Sequence, residues 1–137
     1  YATRELSAAG RLNLALGRSL SDGDRQSLAL QRTRLREATL RALDAGFLLA
    51  MPTTAVPAPA ATQALRDGAQ NAPLLLAVAL YTPLANITGL PAIAIPSGVD
   101  ERGRPLSIMF VGAPGSETTL LRVAIALEST GVGTLPV

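Results

Sequence analysis

Tyr81–Glu128, YTPLANITGLPAIAIPSGVDERGRPLSIMFVGAPGSETTLLRVAIALE, is the stretch on which the fold turns. Ala92-Ile93-Ala94-Ile95 is a short strand-like run stopped by Pro96-Ser97-Gly98, and Asp100-Glu101-Arg102-Gly103 supplies turn chemistry. Leu106–Val111 is the next apolar run, so the two predict a hairpin. Gly112-Ala113-Pro114-Gly115 turns a corner. Ser116 is then placed to cap a last helix, with Glu117 in its first turn and Leu120, Leu121, Ala124 and Leu127 on its apolar face. Ahead of the hairpin, Thr82–Pro91 reads as a loop that must satisfy its own backbone with small polar side chains. Asn86 either locks that loop or faces a ligand.

Upstream, Phe47–Met51 is an all-apolar run of the kind found in a strand buried on both faces of an α/β sheet. The three prolines of Pro52–Pro59 stop it. That segment is either a stiff surface loop or a rim loop at the carboxyl end of a strand, where α/β proteins bind ligands. Leu74–Leu80 predicts a buried helical turn or two, and Ala60–Asn71 a polar, variable loop. Residues 3–17 have helical composition. Ser21-Asp22-Gly23-Asp24 predicts a second helix start, with Ser21 as cap, running to about Ala45 and ended by Gly46. Leu28, Leu35, Ala38 and Ala42 fall on one arc of that helix. Arg4, Arg11, Arg18, Arg25 and Arg32 recur at intervals of seven, but the break at Ser21-Asp22-Gly23 makes them solvated helix surface rather than one basic stripe. The expected organisation is a helical lead-in over 1–46 and a strand, loop and helix core over 47–137, together one partial domain.

The composition excludes more than it assigns. The 137 residues hold no Cys and no His, and all 12 basic residues are Arg, so Lys is absent too. No disulfide framework, thiolate chemistry or zinc site with N or S ligands can be built, and no metal or other cofactor is expected. The net charge of +2 is small, and a high isoelectric point follows merely from having Arg as the sole base. Nucleic acid is therefore not an expected partner. The longest nearly apolar run, Ala72–Ala85, is about 14 residues, short of the roughly 20 that span a bilayer, and a cytoplasmic protein is the default. The chain starts at Tyr1 without a signal-peptide pattern, which reads as a cut in a longer polypeptide.

Eight serines are present, yet a serine hydroxyl attacks poorly unless a neighbouring base takes its proton, and the usual bases, His and a depressed Lys, are missing. Ser97 lacks the G-x-S-x-G elbow and reads as a turn residue. The ten acids are scattered over turns and helix starts, with no converging pair. Gly112–Thr119 has the strand, loop and helix context of a phosphate cradle, but it lacks Lys and places Glu117 where an anion would sit. Asn86-Ile87-Thr88 is a formal glycosylation sequon that chance explains.

TPLANITGLPAIAIPSG (82–98), RPLSIMFVGAPGSETTLLRVAIALE (104–128) and MPTTAVPAPA (51–60) resemble three consecutive runs of the amidase signature family, specifically over 81–128 and loosely before that. The resemblance implies an α/β fold, the C-terminal part of an α/β/α sandwich around a large mixed sheet. Family members cleave linear carboxylic amides through a Ser nucleophile, a second Ser and a Lys. Neither the Lys segment nor the Ser/Gly-rich run is present here, so no catalytic residue carries over. What the resemblance leaves to this chain is the last strands, the final helix and one side of a cleft for a small-molecule amide, with Thr53, Thr54, Tyr81, Thr82 and Asn86 as substrate-binding candidates. Its implied partner is the N-terminal portion of the same domain, without which it is expected to be inactive and prone to pair with itself. Glutamine-using members carry an acid at the position of Ala79, so a less charged amide is implied. Met109-Phe110, where many members have Leu-Gln, reads as a packing variant. A non-catalytic α/β interaction or scaffold module is the second reading, and a nucleotide-binding module at the Gly112 corner a weak third.

Overall fold

The computed structural model describes residues 8–60, 62 and 72–131. In chain order they form helix α1 (Ala8–Ser19), helix α2 (Asp22–Ala42), a single 3-10 turn (Asp44–Gly46), strand β1 (Leu49–Pro52), helix α3 (Ala72–Val78), helix α4 (Pro83–Thr88), strand β2 (Ala92–Val99), strand β3 (Pro105–Val111) and helix α5 (Glu117–Ser129). The segment expected to be polar and variable falls almost wholly outside the described residues.

Helix α2 starts as expected. Ser21 is its N-cap, its Oγ accepting from the Asp24 amide at 3.1 Å while Asp24 Oδ2 accepts from the Ser21 amide at 3.0 Å. Two of the orphan donors of the first turn are thus satisfied reciprocally. The helix stops at Ala42, and Gly46, with φ of +82°, closes the 3-10 turn that follows. Its buried side is not the expected arc. Leu28 and Leu35 are 49% and 39% exposed, whereas Thr39 and Leu43 are buried and Arg36 and Leu40 half-buried. Thr39 is admitted because its hydroxyl donates to the Leu35 carbonyl at 2.8 Å.

The sheet has the order β1-β3-β2, with β3 central and both pairings antiparallel. A parallel pair, which a mixed sheet requires, does not occur among the described residues. The predicted hairpin is present, but β2 does not stop at Pro96. A bulge at Ser97 lets it run on to Val99, and Pro96 is tolerated because β2 is an edge strand here. β1 begins later than predicted. Phe47 stands 67% exposed outside it, and the alternation along β1 is half-buried rather than buried on both faces.

Register assigns the faces, since directly paired residues share one. Leu49, Met51, Met109 and Val111 lie on one side, Ile95, Ile108 and Phe110 on the other. On the first side Leu43, Leu90, Met109 and Val111 make the core, with Leu40, Leu49, Met51, Tyr81 and Ala85 packed against it. Helix α2 meets α4 on this side, and α5 packs against β2, burying Leu120. Helices therefore cover both faces, which gives the three layers of an α/β/α arrangement.

Three further expectations give way. Leu74–Leu80 is helical up to Val78, but Leu76 is 71% exposed and Leu80 is also exposed. Thr82–Pro91 is not a loop. Pro83 at the first helical position and Gly89 in the left-handed region bracket the single short helix α4. Ser116 occupies the N-cap position of α5, but its φ/ψ of −87°/10° is not the extended conformation that aims a hydroxyl at the first turn. Its Oγ points back toward Gly112 and has no partner among the described residues.

The hairpin tip is tied by Asp100. Its Oδ1 accepts from the amides of Arg102 and Arg104, both at 2.9 Å, and its Oδ2 from Arg104 Nε and Nη2, both at 2.7 Å. The Arg104 amide and then its guanidinium hold the Asp100 carboxyl below the ordinary 3.8. With a folded value below the unfolded one, this stabilisation is complete above pH 3.8 and is lost as pH falls through the folded value. Urea midpoints compared at about pH 5 and about pH 2.5 should fall less in Asp100→Asn, which keeps an accepting oxygen but not the charge. Equal falls in both proteins would contradict this.

Candidate cleft wall

The carboxyl end of β1 and the Pro-rich segment after it form one rim. The Thr53 amide extends the β1–β3 ladder by donating to the Ser107 carbonyl at 3.0 Å. Thr54 Oγ1 donates to the Val56 carbonyl at 2.8 Å, closing a local turn. The Ala55 amide donates to the Ala77 carbonyl at 3.2 Å and pins the rim to the end of α3. Arg104 Nη1 reaches the Ala58 carbonyl at 3.3 Å, so the hairpin tip holds the far end of the same segment. Thr53 Oγ1 is buried and has no partner among the described residues. A buried hydroxyl left in that state costs about 1–3 kcal/mol, so it is a group that a further segment or a ligand would satisfy.

A cavity of about 420 Å³ opens beside this rim, lined chiefly by Pro52, Thr54, Ser97, Leu106, Ser107 and Ile108. It is mostly apolar with a few hydroxyls, the usual character of a small-molecule site. Of the five predicted residues, only Thr54 lines it. Tyr81 is half-buried and packs on the same core cluster as Met51, two residues before Thr53. Thr82 is half-buried at the N-cap of α4, its side chain making no capping bond. Asn86 is exposed and does not lock this segment. The residue that does so is Thr88, fully buried, whose hydroxyl donates to the Leu84 carbonyl at 2.6 Å. Thr53, Thr54, Tyr81 and Thr82 thus sit on segments fixed to one another through α3 and the core, while Asn86 stands apart on the surface.

Arg32, Arg36 and Arg104 were not singled out by the sequence as site residues. Arg32 is not merely solvated surface, for its Nε donates to the Ile87 carbonyl at 2.7 Å. The legible signals were the i,i+4 spacings Arg32/Arg36 and Asp100/Arg104.

None of this assembles a catalytic centre. Ser97 and Ser107 reach the cavity, but the chain has no Lys or His to take a proton. Asp24 and Asp100 are shifted downward by their hydrogen bonds, away from the range of a base working near neutrality. Among the described residues no group of three or more His, Cys, Asp or Glu could hold a metal ion. The Gly112 corner is no anion cradle either. Its amide donates to the Pro91 carbonyl at 3.0 Å, and Ser116 fills the space above it. Among the described residues no helix is long and apolar enough to cross a membrane.

Comparison with known proteins gives one consistent result. A family model described as Amidase matches residues 6–121. The chain is 33% identical over 125 residues to a fatty acid amide hydrolase of Medicago truncatula, covering 90% of this chain and 21% of that protein. It is 31% identical over 121 residues to one of the subunits of the glutamyl-tRNA(Gln) amidotransferase of Chlamydia trachomatis serovar L2, covering 84% of this chain and 23% of the relative. A crystal structure of an amidase superposes with a TM-score of 0.72 at 25% identity, over 91% of this chain and 29% of its own. The chain spans about a fifth of the length of the relatives it matches.

Proposed function

The chain belongs to the amidase family, and from that premise we infer that it is the C-terminal portion of a hydrolase of linear carboxylic amides, inactive until the N-terminal portion of its domain is supplied. The observation that carries this reading is the absence of Lys and His from a chain that matches the family over most of its length. Amide cleavage through serine needs a proton acceptor beside the hydroxyl, and here that acceptor has to come from elsewhere. The role left to this chain is binding. Thr53 and Thr54 on the rim, with Tyr81 and Thr82 at the start of the α4 segment, form one wall of the cleft, and the exposed Asn86 lies outside it.

The substrate is a weakly charged amide. Ala79 offers no carboxylate to pair with a substrate ammonium, which disfavours free glutamine. The likeness to plant fatty acid amide hydrolases supports the same direction. Exposed leucines on α1 and α2, Leu14, Leu16, Leu28 and Leu30 among them, support coverage of these helices by the missing portion, or by a second copy when it is absent.

Co-expression with the N-terminal portion, followed by a screen of aliphatic and aromatic amides, tests this. Serine-dependent hydrolysis is expected from the combination and none from this chain alone. A stable, well-folded complex that hydrolyses no amide would favour the non-catalytic scaffold instead.

A further inference from the structure

Helix α4 has six residues, too few to be stable without outside support. Its last carbonyls are orphaned by construction. The amides of Gly89 and Leu90 both turn back to the Ala85 carbonyl, which leaves the carbonyls of Asn86, Ile87, Thr88 and Gly89 without a donor from the helix itself. Two arginines one turn apart on α2 take the last three. Arg32 Nε donates to Ile87 O at 2.7 Å, and Arg36 Nη1 donates to Thr88 O and to Gly89 O, the latter at 3.3 Å. The two cations sit at the negative end of the α4 dipole. Arg36 is half-buried, so these carbonyls replace part of the water around its guanidinium. One nitrogen of Arg36, Nη1, serves both carbonyls, so a lysine there keeps the charge and a donor nitrogen but loses the planar guanidinium that aims it.

We propose that Arg32 and Arg36 form a two-point clamp on the carboxyl end of α4 and are positioning residues for substrate binding. The substrate part rests on the reading above that Tyr81 and Thr82, at the other end of the same helix, belong to the cleft wall. The rod between them is about 9 Å long, so a clamp at one end fixes the angle of the other. Core packing of Tyr81, Ala85 and Thr88 sets the depth of α4, and the clamp sets its rotation and tilt.

Hydrogen exchange and kinetics on the co-expressed protein test this with Arg32→Ala, Arg36→Ala and Arg36→Lys. Losing a charge-assisted bond should speed exchange of the Gly89 and Leu90 amides about tenfold in each Ala variant, and less in Arg36→Lys, with β2 and β3 unchanged. KM should rise about tenfold in the Ala variants while kcat stays within about twofold, and Arg36→Lys should recover part of the loss. Exchange that does not change, or that rises equally across the sheet, overturns the clamp. An unchanged KM, or a fall confined to kcat, overturns the positioning role. A wild-type complex without activity overturns the amidase reading and the substrate part with it, and the exchange rates still decide the clamp.

Discussion

Gly112→Ala should destabilise the fold by about 3 kcal/mol, a fall in Tm of roughly 10 °C for a chain of this length. Gly112 is buried where β3 turns toward α5. A methyl group there would overlap Ser116 Oγ and stand 3.0 Å from Ser116 Cβ and 3.1 Å from Leu48 Cδ2. Turning the hydroxyl away relieves the first contact only. The Gly112 amide is bonded to the Pro91 carbonyl, so the backbone cannot retreat without breaking the end of the β2–β3 ladder. Ser116→Gly in the same chain should restore about half of the loss, because glycine is accepted at an N-cap at little cost. A Gly112→Ala variant as stable as the parent, by urea unfolding, would show that the corner is looser than described.

Ile95→Ala is the second large effect, expected at about 3 kcal/mol from lost transfer energy plus the cavity left behind. Ile95 is 2% exposed and lies on the sheet face opposite the Met109–Val111 core. Among the described residues, Ile95 and Leu120 are the buried hydrophobics outside the Leu43, Leu90, Met109 and Val111 cluster, and the helix that carries Leu120 packs against the strand that carries Ile95. Its loss should loosen α5 selectively, so exchange in residues 117–129 should rise before that in α2. Ile93, half-buried on the same face, should cost less when truncated. Equal effects at Ile93 and Ile95 would contradict the assigned packing of α5.

Local chemistry made part of the fold legible. The Ser21–Asp24 capping box, the glycine after the α2 region and the hairpin across Asp100–Arg104 each depend on residues a few positions apart. Contacts made at long range were not legible. The Leu28/Leu35 arc of α2 is as apolar as a buried face, yet the side that packs carries Arg36 and Thr39, because the carbonyl end of α4 and the 3-10 turn lie there. The α4 helix itself was hidden, since six residues opened by a proline and followed by a glycine have the composition of a loop. Ser116 had the right identity and position for a cap but the wrong backbone angles. In the candidate site, Thr54 is the one expected residue that lines the cavity, whereas the contacts of Arg32, Arg36 and Arg104 reach carbonyls 46 to 55 residues away.

On the function proposed above, no hydroxyl in this chain alone is activated for attack. An organophosphonate that forms a covalent bond only with a serine deprotonated by a neighbouring base tests it most directly, with the label located by mass spectrometry. The chain alone should stay unlabelled, and the co-expressed enzyme should carry one label on a serine outside these 137 residues. Stoichiometric label on Ser97, Ser107 or any other serine of this chain would contradict the claim.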